Sequence, residues 1–331
     1  MKFSLLTVYF LISLNIIPGL AQHTIKKDPV LSTIINAKDD FDRDADIGGL
    51  SAIAYSGYEN IYYVVADKPP FRIYTLSIDI KGTIEYQIKD TLIFHDIKFE
   101  AEGIRVIDKL TYFFVSDEKN TNTSIYKFFE GKIQKIDAIP SLKKKMRYNS
   151  GYESLALSAD KKSLFFAYER PLKKDQRSRH NPKLQPYISI FEYDIKRDML
   201  VNEYIYPLVN QSRDNGVSEI LTINDSILLV LERAWTNNQS IVTINAVNIK
   251  AADNIIDSRK KIPANIQCLK PKVLIDFATI EKQFSRNKSY NVEGMTLSKD
   301  KKHILFITDN NFSPNQTTYL MALEIDWKSN W

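Results

Sequence analysis

Gly151-Tyr152-Glu153-Ser154-Leu155-Ala156-Leu157-Ser158, then Ala159-Asp160-Lys161-Lys162-Ser163, then 164–170 (LFFAYER) reads as strand, turn, strand. An acid stands near the start of the first strand and another closes the second. Turn-type residues separate the two apolar runs. The same pattern occurs four more times. Gly48-Gly49-Leu50-Ser51 precedes 61–67 (IYYVVAD), and Glu102-Gly103-Ile104-Arg105 precedes 112–118 (YFFVSDE). Ser218-Glu219-Ile220-Leu221 precedes 227–233 (ILLVLER), and Glu293-Gly294-Met295-Thr296 precedes 304–310 (ILFITDN). The turns at 158–162 (SADKK) and 298–302 (SKDKK) are near copies. Such self-similarity marks a repeat architecture.

Working outward, each pair is followed by a more alternating third strand, at 71–80, 124–129, 187–193, 241–247 and 317–325. A fourth follows at 85–88, 132–136, 200–206 and 272–277. No comparable amphipathic helix appears. Four antiparallel strands per unit, repeated radially, predict an all-β fold, a β-propeller of four-stranded blades. The repeat count gives five blades; a sixth inside the long fourth unit stays open. Five hairpins in a sandwich are the competing arrangement. The last unit lacks a fourth strand before Trp331, and 30–37 (VLSTIINA) is a spare strand at the other end. Pairing the two closes the ring and removes two exposed edges.

Strand geometry then gives the acids an address. The start of one strand and the end of its antiparallel neighbour lie at the same sheet edge. Asp67, Glu102, Asp117, Glu153, Glu169, Glu219, Glu232, Glu293 and Asp309 are therefore expected around one channel mouth. Crowded carboxylates repel unless something positive joins them. One candidate is a hard cation such as Ca²⁺. The other is the arginines at the same level: Arg72, Arg105, Arg170 and Arg233. In the second case the acids and arginines only tie blades together.

The composition excludes several classes. The 331 residues carry 45 Lys and Arg against 40 Asp and Glu, a net charge of +5, too mild to argue for nucleic acid. One cysteine, Cys268, rules out an internal disulfide and any multi-cysteine metal site. The four histidines, His23, His95, His180 and His303, form no HxH or HxxxH motif. G-x-S-x-G, P-loop and G-x-G-x-x-G motifs are absent. Asp40, Asp42, Asp44 and Asp46 alternate like a calcium loop, but Ala45 and Ser51 stand where an EF-hand needs Gly and Glu. Lys2, an apolar run over 3–17, and Gly19 and Ala21 before a cut read as a secretory signal over 1–21. Segment 22–45 with the closing strand and a propeller domain over 46–331 follow. Export to the periplasm or medium is expected, with no membrane span after cleavage, and a monomer.

The rim pieces resemble the phytase-like esterase domain family. They are Gly48-Gly49-Leu50-Ser51, Glu102-Gly103-Ile104, 151–158, Gly216-Val217-Ser218-Glu219-Ile220-Leu221, 229–233, and 291–295 with Thr308-Asp309-Asn310-Asn311-Phe312. Order and spacing agree over about residues 46 to 326. Ser154 and Ala101 depart from the family's usual Gly and Pro, and the metal-site sequences of true β-propeller phytases are missing. The resemblance implies an exported bacterial propeller with a phosphoester-hydrolysing role. On this reading Glu102, Glu153 and Glu293 are catalytic, and Glu102, Glu153, Glu219, Glu293 and Asp309 hold Ca²⁺. Arg72, Arg170, Arg233, Asn310 and Asn311 take a small phosphoester or other ester substrate. A non-catalytic binding propeller of the cell envelope and a calcium-dependent lactonase-like esterase are the alternatives.

Overall fold

In a computed structural model, the described residues are 31–35, 47–98, 100–117, 123–136, 138–139, 142, 145–173, 186–210, 212, 214–236, 239–256, 262–279, 291–313 and 316–325. The expected signal segment and the Asp40–Asp46 alternation lie outside them.

The first strand among the described residues, β1 (Leu31–Ile34), is kept for the end of the ring. The first blade is β2 (Leu50–Tyr55), β3 (Ile61–Ala66), β4 (Phe71–Ile80) and β5 (Ile84–Phe94). The second is β6 (Ala101–Asp108), β7 (Thr111–Ser116), β8 (Ser124–Phe129) and β9 (Lys132–Ile136). The third is β10 (Tyr152–Leu157), β11 (Ser163–Tyr168), β12 (Tyr187–Asp194) and β13 (Met199–Pro207). The fourth is β14 (Gly216–Thr222), β15 (Ile227–Thr236), β16 (Gln239–Asn248) and β17 (Lys272–Asp276). The fifth is β18 (Val292–Leu297), β19 (His303–Thr308) and β20 (Tyr319–Glu324), completed by β1, which pairs antiparallel with β20. The protein is a five-bladed β-propeller closed by its N-terminal strand.

Burial follows position in the blade. Second strands such as β7 and β19 are buried along almost their whole length, because both faces meet a neighbouring blade. Outer strands alternate or are exposed, as in β5 and β9. The core lies between blades: Phe71 of the first blade meets Phe114 of the second edge-on, with ring centroids 5.0 Å apart. The two near-copy turns fold alike. Ser158 Oγ bonds Asp160 Oδ1 at 2.8 Å with Lys161 left-handed (φ 60°), and Ser298 Oγ bonds Asp300 Oδ1 at 2.7 Å with Lys301 at φ 57°.

The five innermost strands pack in sequence around the axis: β2 on β6, β6 on β10, β10 on β14, β14 on β18, and β18 back on β2. Each slips register near its start, and β6 slips again between Val106 and Asp108. The residues skipped near the starts are Ser51, Glu102, Glu153, Ser218 and Glu293. A bulge leaves one residue out of the ladder and re-aims the side chains around it. The residues just past the bulges sit against neighbouring inner strands. A Cβ on Gly294 would lie 2.8 Å from the backbone of Ala52 and Ile53, so glycine is needed there.

Candidate functional site

The bulges aim side chains at one mouth of the ring. A cavity of about 320 Å³ lies there, within the usual range for small-ligand sites. Four of the five bulged residues line it: Ser51, Glu102, Glu153 and Glu293. Acids from the ends of second strands join them. Asp67 N bonds Gly49 O, Glu169 N bonds Gly151 O and Asp309 N bonds Asn291 O, each at 2.8 or 2.9 Å. These repeated rungs fix the end of each second strand beside the start of the first, which puts Asp67, Glu169 and Asp309 at the cavity. Asp214 completes seven acidic side chains, against two arginines, Arg170 and Arg233. Asn149, Asn291, Asn311, Gln316, Ser240 and Trp235 supply the rest of the polar wall and one aromatic face.

Arg233 stands among the acids. It donates to Glu293 Oε1 and Asn291 Oδ1 and lies 3.7 Å from Glu169 Oε1. Burial works against its charge, but Glu293 and Glu169 outweigh that and raise its pKa. Arg170 Nε is 3.4 Å from Glu169 Oε2 at the more open edge.

Two arginines do not balance seven acids, and burial shifts the titration of several of them. Burial, then the Asp309 charge, pushes Asp67 up to about 7. Burial pushes Glu293 up to about 8 even though Arg233 opposes it. Burial and neighbouring carboxylates push Glu102 and Glu153 well above the carboxylate range, and burial raises Asp309. Asp67 and Glu293 therefore exchange protons near neutrality.

Of the residues singled out from sequence, the fold brings Glu102, Glu153, Glu293, Asp309, Arg170, Arg233 and Asn311 to this cavity. It does not bring Glu219, Arg72 or Asn310 to the cavity wall. Glu219 is one residue past the bulge, so its side chain leaves the mouth and is fully buried. Its Oε2 is 3.0 Å from Arg105 Nη2, and its Oε1 accepts from Leu155 N and Ile220 N. Ser218 holds the bulged place instead. Arg72 lies on β4, with Nη1 donating to Pro70 O at 3.4 Å. Asn310 Oδ1 accepts from Gly49 N and Phe312 N, each at 3.0 Å, and ties the last blade to the first. Gly49 is left-handed (φ 62°), and a Cβ there would fall 2.2 Å from Asp67 Oδ1.

Two other expected rim acids are also internal. Glu232 accepts from Tyr206 Oη, Val209 N and Asn215 Nδ2 and anchors the segment before β14. Asp117 is buried beside Gly151 and Thr123 at the boundary between the second and third blades. Conversely, Asp214, Asn291 and Trp235 line the cavity without having been singled out. Asn291 directly precedes the strand carrying Glu293, and Trp235 follows Arg233 by two residues on β15, so blade position was their available signal.

The phytase-like family, described as esterase-like activity of phytase, matches residues 45–312. The chain belongs to that family. No curated protein matches it. Among solved structures, it is similar to endo-arabinase from Bacteroides thetaiotaomicron. The identity is 12%, covering 87% of this chain and 96% of that one, with a TM-score of 0.48. The GH62 α-L-arabinofuranosidase catalytic domain of Coprinopsis cinerea is 10% identical over 89% and 96%, with a TM-score of 0.49. Kuenenia stuttgartiensis hydrazine synthase is 14% identical over 78% of this phytase-like chain, which spans 61% of its length, with a TM-score of 0.42. These likenesses carry no argument about activity. Among the described residues, no helix is long and apolar enough to cross a membrane.

Proposed function

We propose that this phytase-like propeller is an exported ester hydrolase, with phosphoesters as its first class of substrate and the acidic cup as its active site. What carries the reading is a set of buried carboxyl groups poised near neutral pH, Asp67 at about 7 and Glu293 at about 8. A general acid or base works best when its pKa lies near the working pH. In this reading one protonated carboxyl among Glu102, Glu153 and Glu293 gives its proton to the leaving oxygen. An ionised neighbour takes a proton from the attacking water. Arg170 and Arg233 meet the anionic part of the ester, and Asn311 hydrogen-bonds beside them.

Calcium is part of the same proposal. The donors are all oxygen, which suits a hard cation, and Glu102, Glu153, Glu293 and Asp309 would hold it. Bound there, it would neutralise the cup and polarise an ester oxygen. Among the described residues, however, no three acidic, histidine or cysteine side chains gather closely enough to hold a metal as they stand. Arg233 already occupies one cation position. No step here runs through a metal. The same crowding also suits the second reading, a cup that binds a ligand without chemistry.

The test is turnover by purified protein of a phosphomonoester, a phosphodiester, a carboxylic ester and a lactone, each with Ca²⁺ and with EDTA. The expected result is phosphoester hydrolysis that Glu293→Gln reduces by about a hundredfold or more. Turnover of the lactone alone moves the assignment to a lactonase-like esterase. No turnover of any of them rejects the catalytic reading in favour of binding.

A further inference from the structure

We infer that the cup recognises a protonated amine, carried on a ligand with an apolar linker. The proposal goes beyond hydrolysis, because it holds equally for a catalytic cup and for a purely binding one. Three observations support it. First, Glu153 is only 8% exposed and faces the cavity, yet no hydrogen bond or ion pair reaches its carboxylate among the described residues. Asp67 Oδ1 is likewise buried without a hydrogen-bond partner. Ionising a buried carboxyl that accepts no hydrogen bond is costly, and Arg233 offsets only part of that cost for Glu153, so these groups ionise readily only when a cation fills the cup.

Second, the acids are dispersed. A calcium ion needs six to eight oxygens converging at about 2.3–2.6 Å. No three described acids converge in that way. Ammonium groups ask for less: each N–H donor needs one acceptor, and several amines on a chain match several separated carboxylates. Arg233 already displays the mode, since its guanidinium is held by Glu293, Asn291 and Glu169. Third, Trp235 lines the cavity and is 49% exposed. Its face is available for a cation–π contact and for covering an apolar linker. The cup is acidic although the whole chain carries +5, so attraction of a cation is local to this mouth.

The experiment is isothermal titration of the purified full chain with spermidine, alongside Ca²⁺ titrated alone. Spermidine is expected to bind and to change Trp235 emission. Glu153→Gln should weaken binding about tenfold, the loss of one charge pair, with thermal melting checked for each variant. Trp235→Ala, on the exposed wall, should weaken it severalfold and serves if Glu153→Gln does not fold. No spermidine binding, or binding that neither variant weakens, overturns the proposal. So does a calcium isotherm lost in Glu153→Gln with no spermidine isotherm, which assigns the cup to a metal. Spermidine binding without ester turnover sinks the hydrolase reading alone. Turnover without spermidine binding sinks this one alone.

Discussion

Arg105 and Glu219 form a buried ion pair whose contacts join three inner strands. Arg105 Nη1 donates to Ile104 O and Nη2 to Ile220 O, while Glu219 accepts from Leu155 N. Strands β6, β10 and β14 are thus bound together just beyond the bulges that aim Glu102 and Glu153. Burial pushes Glu219 up to about 7, with Arg105 and the two backbone N–H groups pulling the other way. Removing one member of such a pair strands the other, whereas replacing both with apolar groups removes the desolvation cost as well. Arg105→Met alone should therefore cost about 3–5 kcal/mol of unfolding free energy. Arg105→Met with Glu219→Leu should recover part of that loss, as measured by chemical denaturation, the remainder being the backbone groups at Leu155, Ile220 and Ile104 that the pair had bonded. A double variant no more stable than the single one would show that the pair does more than satisfy itself. Glu219 also marks where the sequence stopped being legible. Its acid-first pattern matches the other repeats, but the bulge sets aside Ser218. Register slips arise from backbone pairing across two strands, and no single side chain announces them. Glu102, Glu153 and Glu293 were legible because in their blades the bulged residue is itself the acid.

At the scale of elements, the ring depends on β1. Without it, β20 presents an unpaired edge, and its neighbours Leu31 and Ile35 no longer pack against the fifth and first blades. Unpaired edges invite pairing with other chains. A variant beginning after Ile35 is expected to melt at a clearly lower temperature and to form soluble oligomers or aggregates by light scattering. A monomer of unchanged melting temperature would show that the closure is dispensable. The blades themselves were legible because their hairpins carry turn chemistry and buried second strands, visible in 158–162 and 298–302. The closing strand was legible only by subtraction, since a four-residue segment with an alternating pattern has no strong signal of its own. Asp117 and Glu232 show the limit of that reasoning: Asp117 follows the end of β7 and is buried at a blade boundary, whereas β15 runs on to Thr236 and leaves Glu232 inside the strand, where Tyr206, Val209 and Asn215 hold it.

At the scale of the whole molecule, the acidic cup should set how stability varies with pH. Asp67, Glu102, Glu153, Glu293 and Asp309 all bind their protons more tightly in the fold than in the unfolded chain, burial being the first cause in each. Folding therefore takes up protons between the ordinary carboxylate values of 3.8 and 4.5 and the folded values, about 7 for Asp67 and about 8 for Glu293. Stability falls as pH rises wherever the folded state binds more protons. The contribution of these groups is full below the ordinary carboxylate range and is lost as pH climbs through about 7 to 8. The melting temperature should accordingly be higher near about pH 5 than near about pH 9, opposite to a protein held by paired surface carboxylates. Saturating cation should flatten the profile, because a bound positive charge restores the ordinary preference of the carboxyls for ionisation. Glu293→Gln should flatten part of it without any ligand, since the amide has no proton to lose. A profile that rises from about pH 5 to 9 in the unliganded protein would mean the carboxyls are already compensated. The cup would then be a structural ion-pair network rather than a site awaiting a charge.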